Sequence, residues 1–192
     1  MKGIVATHFK EYVGSKLGSE VWPKVMKETG LASDVFPPSA DIPDEAIVKV
    51  VGAAATAAGK PIEDVLYAFG VFEMGKLFEV YSHLIPQSNA KDFLLTAHEK
   101  IRLAVNFDFQ GSGQEAACPF LHPKTPPLIE VKDTGANSLK IFYRSPRKLC
   151  AFNRGIIQSV GDHYKVKVGV HEFSCMNKGD AQCQYDLTIS SN

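Results

Sequence analysis

Three polar side chains at alternate positions, Tyr143, Ser145 and Arg147, close the segment FYRSPRKLC at residues 142–150. In an extended chain, alternate residues point to one side, so two hydroxyls and a guanidinium gather there. Arginine presents a planar fork that matches a carboxylate, and hydroxyls complete such a cradle. The chemistry that suits the trio is the grip of an anionic head group on an otherwise apolar molecule. In the plainer reading, Tyr143 covers a sheet edge, Ser145 caps a helix and Arg147 is solvated.

A second set reads H-x3-C-x7-C: His171, Cys175 and Cys183. Residues 171 and 175 have the same parity and so are expected on one strand face. The turn MNKGDAQ returns Cys183 opposite Cys175. Cys150, in the first turn of the preceding helix, is the candidate fourth ligand. Three thiolates and one imidazole make a closed tetrahedral zinc site. Thiolate zinc sites also lose metal on oxidation, which adds a redox role as a secondary reading. Without metal, the same residues are buried cysteines beside a surface histidine.

The elements that must position these groups change character at mid-chain. The first half has helical spacing over 4–17, through VWPKVMKET capped by Ser19 and stopped by Gly30, over 44–58, from Pro61 through 84, and over 89–105. Gly70 and Gly75 weaken the fourth of these helices and permit a bend. The second half alternates: 128–132 and 138–143 flank the turn DTGAN, a helix is expected over 146–162, and YKVKVGVHEFSC and CQYDLTI form a second hairpin. The expected fold is α+β, a helical lobe at 1–60 packed on a lobe at 61–192 with a four-stranded antiparallel sheet and flanking helices. The stretch 107–127 is a long irregular loop of the kind that is functional or disordered.

The chain has 192 residues, 21 basic and 21 acidic side chains, and zero net charge. No basic field favours nucleic acid or a membrane surface. No apolar run spans a bilayer, and the N-terminal MKGIVATHFKEYVGSKL carries charge too early for a secretory signal. A cytoplasmic protein is expected, with Cys118, Cys150, Cys175 and Cys183 reduced. No nucleophile elbow, phosphate loop or paired carboxylates point to catalysis, so no enzyme is expected.

Taken together, MKGIV, KPIEDVLYAFG (60–70), TPPLIEV (125–131), YRSPRKLC (143–150) and CMNKGDAQC (175–183) resemble the haem-nitric oxide/oxygen-binding (H-NOX) domains related to the haem domain of soluble guanylate cyclase. The resemblance covers essentially the whole chain. It implies haem b, with Tyr143, Ser145 and Arg147 on the propionates and Pro127 packed against the ring. It implies zinc on Cys150, His171, Cys175 and Cys183, as in a subset of the family. It places Phe152 where oxygen-binding members carry a tyrosine, and Phe cannot donate a hydrogen bond to bound oxygen, which points to nitric oxide. Val5, Phe9, Leu66 and Phe69 are candidates for the apolar lining, and Gly70 matches a hinge between lobes. The output would pass to a partner such as a histidine kinase or diguanylate cyclase.

The sequence departs from the family pattern at the iron ligand. The expected histidine position falls near Ile101 or Arg102, and His98, one turn earlier on the same helix, is the candidate axial ligand. The extended loop adds Cys118 and His122 as weaker ones. Two readings follow. The domain binds haem through His98 and senses nitric oxide, or it is a haem-free relative whose clamp holds a fatty acid or other apolar carboxylate.

Overall fold

The computed structural model describes residues 3–31, 33–37, 40, 42–80, 89–96 and 128–191. Helix α1 (Gly3–Tyr12) buries Val5, Ala6, Phe9 and Tyr12, the three-and-four spacing of one helical face. It runs on into a wide turn, Val13–Leu17, closed by the Gly18 N–H on the Val13 carbonyl at 3.1 Å. Helix α2 (Val21–Thr29) has no side-chain cap, so Ser19 does not play the expected part; the Val21 N–H is taken by the Gly18 carbonyl at 3.1 Å instead. Gly30 ends it in the left-handed region at φ 67°, where a side chain would be strained.

Helix α3 (Asp44–Ala58) opens with Asp44 and Glu45, negative charge where the helix dipole favours it. Helix α4 (Ile62–Val80) starts from the Pro61 carbonyl, which accepts the Asp64 and Val65 N–H groups. A further helix, α5, occupies residues 90–96. Asn89 caps it, its Oδ1 accepting the Asp92 N–H at 2.9 Å and its Nδ2 donating to Asp92 Oδ2 at 2.8 Å. The remainder of the helix expected to residue 105 lies outside the described residues.

Strands β1 (Leu128–Gly135) and β2 (Ser138–Arg144) form the first hairpin, and β3 (Val166–Ser174) and β4 (Cys183–Ser191) the second. Pairing of β2 with β4 joins them into one antiparallel sheet of order β1-β2-β4-β3. Helix α6 (Cys150–Tyr164) covers the sheet and starts four residues later than the sequence predicts. The reason is local. The Ser145 hydroxyl accepts the Arg147 N–H at 3.3 Å and the Lys148 N–H binds the Ser145 carbonyl at 3.1 Å, which makes a turn. Lys148 then sits at φ 51°, a conformation no right-handed helix can continue through.

Two apolar clusters result. The first joins α1, α2, α3 and the front of α4, with Val13, Val25, Ala54 and Val65 fully buried, and takes in Ala151 and Phe152 of α6. The second lies between the inner sheet face (Leu139, Ile141, Tyr185, Leu187), the rear of α4, α5 and α6. The division falls inside α4, between Phe69 and Met74, so this helix is a wall of both. It crosses α6 at very short range. A Cβ on Gly70 would lie 2.2 Å from the Phe152 carbonyl oxygen, and one on Gly155 would lie 2.0 Å from that of Tyr67. Only glycine allows that approach. Among the described residues, no helix is long and apolar enough to cross a membrane.

Candidate functional site

Strand β2 delivers Tyr143 to the inner sheet face, paired with Cys183 of β4 and Ile129 of β1. Burial pushes its hydroxyl up to about 12, with a hydrogen bond to Ser145 working the other way. The phenol therefore stays protonated and able to donate across the physiological range. Ser145 is buried. Arg147 reaches α3, its Nη1 lying 3.3 Å and 3.4 Å from the two carboxylate oxygens of Asp44. The strand ends at Arg144, so the trio does not share a strand face; the turn at 145–148 gathers it. Two hydroxyls and a guanidinium still meet at the end of β2, where the two clusters adjoin. The set suits a carboxylate, and Arg147 already holds one.

The three cysteines converge. Cys150 and Cys183 sulfurs are 3.1 Å apart, Cys183 and Cys175 are 3.9 Å apart, and all three lie within 4.8 Å of one another. Burial first, then the neighbouring Cys183 sulfur, pushes the Cys150 thiol up; burial does the same to Cys175. Three thiolates would not coexist there without a cation to neutralise them. Backbone donors are already aimed at sulfur: the Met176 N–H lies 3.4 Å from Cys183 Sγ. The loop between the cysteines is fastened by Asp180, whose Oδ2 accepts the Cys175 N–H at 2.8 Å.

His171 is not brought to this cluster. It pairs with Asp186 on the outer face, is exposed, and its ring packs against Phe173 at 4.3 Å. The parity argument fails because β3 is bulged: Glu172 pairs with Tyr185 and Ser174 with Gln184, leaving Phe173 as an extra residue. A bulge switches which residues point inward. Cys175 turns in, and His171, on the other side of the bulge, stays out.

Phe152, Phe9, Leu66 and Phe69 line an apolar cavity of about 30 Å³ within the first cluster. Phe69 stacks edge-on to Phe9 at 4.9 Å and tilts against Phe152 at 5.2 Å. Val5 is buried in the same cluster without lining the cavity. His98, Ile101, Arg102, Cys118, His122 and Pro127 lie outside the described residues.

Two groups escaped the sequence reading. Asp44, the first residue of α3, is the partner of Arg147. Glu73 stands in the apolar run FGVFEMGKLF, and a charge there is itself a signal. Its Oε2 lies 2.9 Å from His8 Nδ1, tying α4 to α1. Burial raises the pKa of Glu73, and the bond to Glu73 raises that of His8, so the pair keeps a proton more firmly than either group would in water. Glu11 and Lys76, bonded to each other at 2.5 Å, flank it.

A family model described as haem-NO-binding (HNOB) matches residues 2–172. An H-NOX protein from S. oneidensis in the Fe(II)NO ligation state superposes with TM-score 0.83 at 22% identity, over 100% of both chains. The Fe(II) unliganded H-NOX protein from K. algicida gives 0.80 at 18% identity, over 100% of this chain and 98% of that one. A mutant T. tengcongensis H-NOX gives 0.77 at 19% identity, over 99% and 97%. A search of curated proteins finds no match.

Proposed function

The chain belongs to the haem-NO-binding family, and from that premise we propose that it is a haem-based nitric oxide sensor acting in the cytoplasm through a separate signalling protein, of the histidine kinase or diguanylate cyclase kind. The observation that carries the reading is the buried donor set of Tyr143, Ser145 and Arg147 where the two clusters adjoin. These residues would hold the haem carboxylates. Arg147 would then share its guanidinium between Asp44 and the ligand, a fork able to serve two carboxylates. His98 is the proposed iron ligand. When bound, the haem supplies an iron that takes up the gas. The chain contributes an apolar wall in which Phe152 offers no hydrogen bond, and this favours nitric oxide over oxygen.

The cysteine triad is proposed as a zinc site through Cys150, Cys175 and Cys183, with soft thiolate ligands suited to that metal. His171 is not among the ligands in this arrangement.

The test is an absorption spectrum of the protein expressed with ample haem. A stoichiometric Soret band that shifts or disappears in His98→Ala, and weakens in Arg147→Ala, is expected. No Soret band after addition of hemin would overturn the reading.

A further inference from the structure

Tyr185 is fully buried, and its hydroxyl has no hydrogen-bond partner among the described residues. A buried phenol usually finds an acceptor, and one left without it bears the cost of stripping water from its polar end. Its position is specific. Cys183 and Tyr185 are alternate residues of β4 and both are buried, so they share the inner sheet face. Cys183 is also the sulfur that lies near both others, 3.1 Å from Cys150 and 3.9 Å from Cys175. Burial, then the Cys183 sulfur and after it that of Cys150, hold the proton on the Tyr185 phenol. The group is therefore a standing donor.

The neighbouring strands leave it little else to bond. Ile141 and Glu172 pair with Tyr185 on either side. Ile141 has no polar side chain, and Glu172 is held by Lys178 at 2.9 Å and faces Arg154 at 3.7 Å. Tyr143, the phenol that pairs with Cys183 across the sheet, is engaged with Ser145. Sulfur remains. A thiol is a weak acceptor, so the hydroxyl gains little while the cysteines are protonated. A thiolate takes a charge-assisted bond about twice as strong as a neutral one. Three thiolates also carry more negative charge than one zinc ion neutralises, and all three cysteines are buried. Such a site needs donors, and the Met176 N–H, 3.4 Å from Cys183 Sγ, is one already in place.

We propose that Tyr185 is a positioning residue of the metal centre: when zinc holds Cys150, Cys175 and Cys183 as thiolates, the Tyr185 hydroxyl donates to the Cys183 sulfur. The assignment deepens the zinc reading above and rests on it. Metal binding and the tyrosine contact are linked, because the thiol form leaves the hydroxyl unpaired and the thiolate form pairs it.

The test compares the full chain with Tyr185→Phe, both made metal-free under reducing conditions. Zinc affinity is read by competition with a chromophoric chelator, and binding about 10–100-fold weaker is expected in the variant. With cobalt(II) in place of zinc, the sulfur-to-cobalt charge-transfer band is expected at longer wavelength in the variant, because a sulfur that has lost a hydrogen bond gives up an electron more readily. Without metal, the variant is expected to unfold in urea at the wild-type midpoint or above it, since it sheds an unpaired hydroxyl. A wild type that takes up neither metal would sink the zinc reading and this inference together. Equal affinity and an unmoved band, in a wild type that does bind, would sink this inference alone. A metal-free variant that is less stable than the wild type, or that does not fold, would assign the hydroxyl to the core and overturn the proposal as well.

Discussion

Removing the imidazole from the His8–Glu73 pair should loosen the attachment of α1 to α4. Glu73 exposes 2% of its side chain and His8 18%, so His8→Leu leaves a buried carboxylate without its partner. Breaking a buried pair in this way costs about 3–5 kcal/mol, and the partial exposure of His8 puts the expected loss near about 3 kcal/mol. At roughly 2–4 °C per kcal/mol for a chain of this size, the melting temperature should fall by about 6–12 °C. Glu73→Gln keeps a hydrogen-bond acceptor, and its cost should stay within about 1 kcal/mol. The pH dependence separates this account from simple packing. Both folded-state pKa values are raised, so the folded protein holds protons more tightly than the unfolded chain. The His8 contribution is complete below its ordinary value of 6.5 and is lost as pH rises through the folded value. The Glu73 contribution runs in the same direction, beginning from the ordinary carboxylate range. Wild-type stability in urea should therefore decline from mildly acidic to mildly alkaline pH, and Glu73→Gln should flatten that decline. A loss under about 1 kcal/mol for His8→Leu, or an undiminished slope in Glu73→Gln, would refute the reasoning.

Other expectations follow from the same geometry. Gly155→Ala places a methyl 2.0 Å from a backbone oxygen that cannot move alone, so α4 and α6 must part; thermal unfolding should register a loss of about 1–3 kcal/mol. Cys183→Ser removes the sulfur that touches both others, and elemental analysis should find zinc falling from about one per chain to none. His171→Ala should leave zinc content unchanged, and a loss there would show that β3 can bring the ring inward. Asp44→Asn weakens the carboxylate that competes for Arg147, and hemin affinity in titration should rise or hold, while Arg147→Ala should lower it several-fold.

What could be read in the chain depended on how local its cause was. Both hairpins and the Gly30 stop were legible because alternation and turn residues sit within a few positions of one another. The convergence of Cys175 and Cys183 is likewise a hairpin property. The outward turn of His171 was not legible, since the bulge at Phe173 arises from how β3 registers against β4. The start of α6 was misread for a related reason. Ser145-Pro146 has the form of a helix opening, and only the left-handed Lys148 moves the first turn to Cys150. Asp44 lies 103 positions from Arg147, and Glu73 lies 65 from His8. The sequence can flag such charges as anomalous but cannot name their partners.

The glycine crossing also has a mechanical side. Helix α4 has 19 residues, and Gly70 stands at the ninth. At 1.5 Å per residue the two arms are about 12 and 15 Å long. With backbone pressed on backbone at the crossing, α4 is a beam resting on a fulcrum close to its midpoint. A tilt of about 10° would carry its two ends roughly 2 and 2.6 Å in opposite directions, one end in the helical cluster and the other against the sheet. Arms so close in length would pass a push on one cluster to the other reversed in sense and similar in size.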